Sequence, residues 1–330
     1  MQLIINTYGA YISKKDKCFL VKIDGETTEI SCKKISQILL TNACALSSDA
    51  IQLAIENNID IVFLDETGFP YARVWYPKIG STTYIRRRQL ELSFDEEGFK
   101  LAKNWIIRKL ENQIDFFNDL AMNRREKTRE IYEYRDRLRN IIESIDGMQG
   151  TLEELRGILM GYEGNAGRIY FEGINFIIHD RFKFDGRSRQ PAKDEFNALL
   201  NYSYGVLYSM VEKACIIAGL DPYIGFLHTD NYNKKSLVFD LIELFRIYAD
   251  KTVLYLFSSR KVKQEYFDKI FGGISLNKEG KKLLMEHFNK NFDETIRYNG
   301  RNIKVRDSIQ FECHKIANDM IKNDLKENNN

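Results

Sequence analysis

The sequence predicts an α+β protein, with a small β-rich domain over residues 1–83 and a large helical domain over 84–330. Three observations predict it. Short apolar runs punctuated by turn residues fill the first 80 positions. The spacing of apolar residues then changes to helical periods. The 4 prolines stand at 70, 77, 191 and 222, so the stretch from 78 to 190 lacks the residue that most effectively breaks helices.

LIINT, AYIS and CFLVKI are strand-like runs, separated by Gly9, Asp16 and the Gly25 corner. ISQILLT follows as another. In SSDAIQLAIENN, Ser47 or Ser48 can cap a short helix with Ile51, Ala54 and Ile55 on one face. IDIVFLD is a fully apolar strand, DETGFP a turn, and YARVWY the last strand, closed by Pro77 and Gly80. From about residue 84 the pattern is helical, and LAKNWIIRKLENQIDFFNDL places Leu101, Trp105, Ile106, Leu110 and Ile114 on one side. REKTREIYEYRDRLRNIIESI carries mixed charge at i,i+4 spacing, as an exposed helix face should. Thr151 and Glu154 form a capping box for TLEELRGILM, and GYEGNAGRIYFEGINFII continues as helix. The charged loop HDRFKFDGRSRQPAKD interrupts the pattern before helices resume near 194. The tail KNDLKENNN has no apolar period and reads as frayed.

Lys+Arg number 49 and Asp+Glu 47, for a formal charge of +2 over 330 residues. With 44% hydrophobic residues the chain can bury a core, which excludes wholesale disorder. Near-neutrality excludes a histone-like polycation and by itself argues against a nucleic-acid partner. The start lacks the n-region and apolar core of a signal peptide, and no apolar run approaches the length of a membrane span. The five cysteines (18, 32, 44, 215, 313) form no CxxC knuckle and read as small buried hydrophobes in a reducing cytoplasm.

Four histidines occur. His179, His287 and His314 read as ordinary surface or core residues, whereas His228 ends the apolar GFLH segment one loop before SLVFDLIELFR. In that helix Asp240 and Glu243, three apart, flank the stripe of Leu241, Leu244, Phe245 and Tyr248. The pair reads as a solvated acidic edge, with Asp240 near a helix N-terminus and Glu243 paired to Arg246. With the histidine it could instead complete a mixed N/O metal site, but on these residues alone the solvated edge is the preferred reading. Glu163 stands among Gly161, Gly164 and Gly167, which would let another helix approach closely. A carboxylate so crowded needs a partner; the alternatives are a salt bridge to Arg168 or an exposed position at a helix start. Among the basic residues, Arg86, Arg87 and Arg88 are consecutive, and the 181–193 loop holds Arg181, Lys183, Arg187, Arg189 and Lys193 against Asp185 alone. Such groups can neutralise phosphates without reading sequence.

GYEGNAGRIYF at 161–171, FNALLNYSYGVLY at 196–208, GFLH followed by SLVFDLIELFR, RRRQL at 86–90, KLENQ at 109–113 and SLNKEGKKLL from 275 together resemble one family. It is the CRISPR-associated integrase-nuclease, the "protein one" of spacer acquisition. The resemblance spans almost the whole chain, through the order and spacing of these motifs. It implies a β-rich N-terminal domain that mediates dimerisation and an all-helical domain with one divalent-metal site. Carried over, the ligands would be Glu163, His228 and Glu243, with Asp240 as an assisting carboxylate and Mg²⁺ or Mn²⁺ as the cofactor. Two departures are visible: Gly167 replaces a common alanine, and Ile247 stands where a proline often follows the arginine. The resemblance further implies a cytoplasmic, metal-dependent DNA endonuclease and integrase that inserts short DNA into a repeat array by 3′-OH attack. Its partners would be DNA, a second copy and the small CRISPR-associated "protein two", with no membrane. The alternatives are a non-catalytic DNA-binding scaffold and a metal-dependent phosphoesterase.

Overall fold

The computed structural model describes residues 1–75, 82–228 and 234–327, the last five of these by backbone alone. Pro77 and Gly80, expected to close the β-rich region, lie outside the described residues. In chain order the N-terminal elements are β1 (Gln2–Ile5), β2 (Tyr11–Lys15), β3 (Cys18–Ile23), β4 (Glu26–Ser31), β5 (Gln37–Leu40), β6 (Ala45–Leu46), α1 (Ser48–Glu56), β7 (Asp60–Leu64) and β8 (Pro70–Val74). There follow α2 (Thr83–Leu92), α3 (Glu96–Met122), α4 (Thr128–Asp146), α5 (Leu152–Ile177), α6 (Glu195–Ile217), α7 (Ser236–Ile242) and α8 (Arg246–Ser258). The C-terminal part holds β9 (Phe267–Ile270), β10 (Gly273–Leu276), α9 (Lys278–Phe292), β11 (Thr295–Tyr298), β12 (Arg301–Lys304) and α10 (Val305–Glu327). The fold is therefore α+β, strands first and mostly helices after, as the patterns predict. Two hairpins, β9–β10 and β11–β12, interrupt what the resemblance implies is all helix.

Two further local differences have simple causes. Strand β4, ETTEIS, has no apolar run because it is largely exposed, and it pairs with β3 in an antiparallel backbone ladder. The last helix runs on to Glu327, so the tail is helical further than its lack of apolar period implies. Elsewhere the local chemistry works as expected. Asp24 and Gly25, both at positive φ, make the two-residue turn between β3 and β4. Ser47 caps α1 by accepting from the Ala50 amide, and Glu154 accepts from both the amide and the hydroxyl of Thr151 at the start of α5. No helix among the described residues is long and apolar enough to cross a membrane.

Packing groups the chain into two units that are interleaved along the sequence. One comprises Met1–Lys78, Arg189–Ser209 and Val262–Glu294. It contains a sheet of order β1-β5-β7-β8, parallel except for β8, and another of order β4-β3-β2-β6. Ile12, Phe19, Ile38, Ala54, Ile61 and their neighbours form its core. Within this unit Gly205 of α6 lies against the 65–69 turn, where a Cβ would come within 2.0 Å of the Gly68 carbonyl oxygen. That contact gives the glycine of the FNALLNYSYGVLY motif a packing reason.

A polar ladder crosses the first sheet. Gln2 donates to Gln37 (2.7 Å), Gln37 donates to Asp60 (2.9 Å), and the buried Asp60 carboxylate is paired with the Arg73 guanidinium. Arg73 also donates to the Ser209 carbonyl at 2.9 Å. Every rung depends on the next, because a buried polar group without a partner is costly. Asp60→Asn keeps the shape and removes the charge, and it is expected to lower stability by about 1–3 kcal/mol in urea unfolding. An unchanged midpoint would show that the ladder does not stabilise the sheet.

The second unit comprises Ile79–Ser188, Met210–Lys261 and Thr295–Asn330. Its long helices α3, α4 and α5 pack on one another and bury Ile106, Leu110, Phe117, Ile141, Leu159 and Tyr170. Asp95 caps α3 by accepting from the Gly98 amide at 3.1 Å. All three ligand positions implied by the family resemblance fall in this unit.

Candidate metal centre

Glu163 sits midway along α5 and is partly exposed, with its carboxylate paired to the ammonium of Lys109 on α3. The same ammonium lies 2.6 Å from Glu243 Oε2, in the turn between α7 and α8. Two carboxylates 80 positions apart in sequence thus converge on one cation. Arg246, at the first turn of α8, pairs with the other Glu243 oxygen at 2.8 Å. The Glu243–Arg246 pair expected from sequence is present, but the edge is not solvated, since Asp240 and Glu243 are 2% and 4% exposed. Arg168 does not serve Glu163; it pairs with Glu172 (2.6 Å) and donates to Asn165.

The charges decide the ionisation states. Burial pushes the Glu163 carboxyl up, but Lys109, Arg246 and His228 outweigh it and hold the group below its ordinary value. Burial likewise pushes the Lys109 ammonium down, while Glu243 and Glu163 more than compensate and raise it. Lys109 was not singled out in the sequence, although it opens the KLENQ motif. That motif now has a physical account: Lys109 bridges the acids, and Asn112 donates to the Leu244 carbonyl at 3.2 Å, fixing the turn that bears Glu243.

Asp240 has another task. Its Oδ2 accepts the amides of Phe226 (2.7 Å) and Leu227 (3.2 Å), and its Oδ1 accepts the His228 amide (3.0 Å) and touches His228 Nδ1 at 2.6 Å. One carboxylate therefore folds the GFLH segment and orients its imidazole. Gly225 permits the tight path, because a Cβ there would lie 2.5 Å from the Ser236 side chain. Trp105 packs edge-on to Phe226 at 5.5 Å, and Arg156 donates to the Phe226 carbonyl at 3.1 Å. Gln89, fully buried, donates to the carbonyls of Asp221 (2.9 Å) and Ile224 (2.7 Å) and accepts the Asp221 amide (2.9 Å). In RRRQL the glutamine, overlooked beside three arginines, clamps the loop that leads to His228.

The basic candidates are placed less uniformly. Arg86 lies 3.8 Å from Asp221, Arg88 pairs with Glu91 at 3.4 Å and is largely buried, and Arg87 is exposed. Arg181 and Lys183 are exposed, but Lys183 donates to the Asn175 and Phe176 carbonyls at the end of α5, as lysines near helix C-termini do. Arg187 lies over the Phe171 ring at 5.2 Å, and Arg189 is exposed. Lys193 donates to the Gly272 carbonyl. The glycines beside Glu163 are not a helix-packing face: a Cβ at Gly161, Gly164 or Gly167 would meet nothing within 4 Å. Tyr170 is a core aromatic whose hydroxyl donates to Asp250 at 3.0 Å.

The donor set fits a hard divalent ion: two carboxylates and an imidazole, with the acids already turned onto one cation. Among the described residues, the buried Glu243 Oε2 has no aligned hydrogen-bond donor and lies against the charge of Lys109, a condition natural to a metal-ligating oxygen. Among the described residues, no three His, Cys, Asp or Glu side chains close around one point, and an ammonium stands between the two acids.

A family model described as CRISPR associated protein Cas1 matches residues 3–290. The chain belongs to the Cas1 family. A CRISPR-associated endonuclease Cas1 from Archaeoglobus fulgidus is 34% identical over 330 residues, covering 96% of this chain and 95% of that protein. Two solved structures share the Cas1 fold seen here. One, of a casposase bound to integration product, aligns with TM-score 0.84 at 21% identity over 98% of this chain and 91% of that one. The other, in a Cas6–RT–Cas1–Cas2 complex, aligns with TM-score 0.80 at 20% identity over 98% of this chain and 35% of that one.

Proposed function

We propose that this chain is a divalent-metal-dependent DNA endonuclease and integrase of CRISPR spacer acquisition. The observation that carries the reading is the convergence of Glu163 and Glu243 on one cation, in the unit that also holds the His228 imidazole anchored by Asp240, in a Cas1 family chain. Glu163, Glu243 and His228 would hold Mg²⁺ or Mn²⁺. When bound, such an ion supplies Lewis acidity at a phosphoryl oxygen. The contact of Asp240 Oδ1 with His228 Nδ1 would orient the ring so that Nε2 is the nitrogen offered to the ion. Gln89, Gly225 and Trp105 fix the segment that presents this ring. In the proposed reaction a DNA 3′-OH forms a new bond to phosphorus and the broken phosphodiester releases a 3′ oxygen; with water as nucleophile the outcome is nicking.

Arg86, Arg87, Arg88, Arg181, Lys183, Arg187 and Arg189 are proposed to neutralise DNA phosphates, with Arg87, Arg181, Lys183 and Arg189 exposed. The Archaeoglobus relative is named an endonuclease, and two chains of the same fold are solved with integration product or with Cas2. Those likenesses support DNA and a Cas2 companion as partners. The β-rich domain, 1–83, is proposed as the dimerisation domain of a cytoplasmic homodimer.

The test is strand transfer of short duplexes with 3′-OH ends into a repeat-bearing plasmid, with Mn²⁺ or Mg²⁺, by wild type and Glu163→Ala. Products from the wild type and none from the variant are expected, with DNA binding retained by both. Equal binding without products from either protein would reduce the chain to a scaffold, and turnover of a small phosphoester without DNA binding would replace the substrate class.

A further inference from the structure

The ammonium of Lys109 stands where two of the proposed metal ligands meet. It hydrogen-bonds Glu163, lies 2.6 Å from Glu243 Oε2, and belongs to a residue only 6% exposed. Burial disfavours the charge of such a group, and the two acids in contact with it offset that cost. The two contacts differ in kind. Glu163 accepts an aligned hydrogen bond, whereas Glu243 Oε2 receives charge without one. A divalent ion bound by the same two oxygens and the ammonium cannot both occupy the space between them, since the two positive charges would repel at contact distance. The lysine stem, unlike a guanidinium fork, carries its charge as a point on a flexible chain and can swing it aside.

Resting on the metal-site reading above, we propose that Lys109 is the centre's built-in counter-cation. Its ammonium holds Glu163 and Glu243 together in the metal-free protein, and it withdraws from between them when a divalent ion binds. Metal affinity is then set by competition with this side chain. The form with the ammonium withdrawn is the only binding-competent one, so a minor population of it weakens metal binding in proportion. The lysine also explains how the buried Glu243 and the partly exposed Glu163 remain together during folding, before any metal is present.

The experiment is Mn²⁺ titration by calorimetry of the full chain as wild type, Lys109→Met and Lys109→Arg, with melting temperatures read with and without Mn²⁺. If the withdrawn form is a minor state of roughly 1–10%, Lys109→Met binds Mn²⁺ about 10–100-fold tighter than wild type. Its metal-free melting temperature falls by at least about 5 °C, and saturating Mn²⁺ restores it. Lys109→Arg, which keeps the charge on a fork that swings aside less readily, binds Mn²⁺ no tighter than wild type. Equal or weaker binding by Lys109→Met overturns the inference and leaves the metal site standing. Absence of Mn²⁺ binding by both proteins overturns the metal site and this inference with it. A wild-type measurement stands apart from variant folding: the acetylation rate of Lys109, followed by mass spectrometry, rises when Mn²⁺ is added. An unchanged rate beside proven Mn²⁺ binding would also overturn the proposal.

Discussion

Asp240→Ala is expected to destabilise the helical unit by about 3–5 kcal/mol in urea unfolding, a loss at the upper end for a single substitution. The buried amides of Phe226 and Leu227 and the amide of His228 lose their acceptor together, and the imidazole loses its anchor. Water has little access there, since Phe226 and Leu227 are buried, so the amides are left unpaired. Asp240→Asn separates the two tasks. The amide can still accept from one pair of donors with its oxygen, but its NH₂ then faces the other pair. Its stability loss is expected to be smaller, about 1–3 kcal/mol, while Mn²⁺ affinity drops about 10–100-fold because the ring is no longer oriented. Wild-type stability in Asp240→Ala would show that the segment is held by Trp105, Arg156 and Gln89 without the carboxylate.

Glu243→Ala is the second large effect, about 3–5 kcal/mol. Glu243 separates two cations, with Lys109 on one oxygen and Arg246 on the other. Its removal turns their ammonium and guanidinium on each other, a repulsion already felt at Lys109. Strand transfer is expected to be lost as well, since one proposed ligand is gone. Glu243→Gln fills the same space, so whatever it shares with the alanine variant is charge rather than packing. Adding Lys109→Met to Glu243→Gln is expected to return part of the lost stability, and a double-mutant cycle reads that coupling. Strictly additive losses would show that the two side chains do not interact.

How much of this was legible in the sequence follows from what each pattern encodes. Apolar spacing gave β1, β2, β3, β5, β7, α3 and α5, because burial on one face leaves a periodic trace. Strand β4 left none, being held by backbone pairing to β3 and mostly exposed. The glycines around Glu163 were read as a packing face by their spacing, but spacing does not say which side of a helix meets solvent, and these open to it. Nothing in the sequence marks Lys109 and Gln89, because a charged or amide side chain in a helical pattern ordinarily points outward. Both are buried instead, each by partners more than 50 positions away. In the 181–193 loop the run of cations was visible, while the attachment of Lys183 to the carbonyls ending α5 was not.

By itself the sequence determined the α+β class, the order of strands before helices, the capped start of α5 and the family, through motifs that survive as local strings. It also nominated Glu163, His228 and Glu243. The tertiary structure decided what those residues do to one another. It gave Asp240 four contacts in the GFLH segment, set one lysine between two acids, and grouped segments 1–78, 189–209 and 262–294 into a single packed unit. The reason is physical: periodicity and caps are written within a few turns of chain, whereas the partner of a buried charge is chosen by packing between elements far apart in sequence. The formal charge of +2 is uninformative for the same cause, since it sums over positions that only the fold brings together.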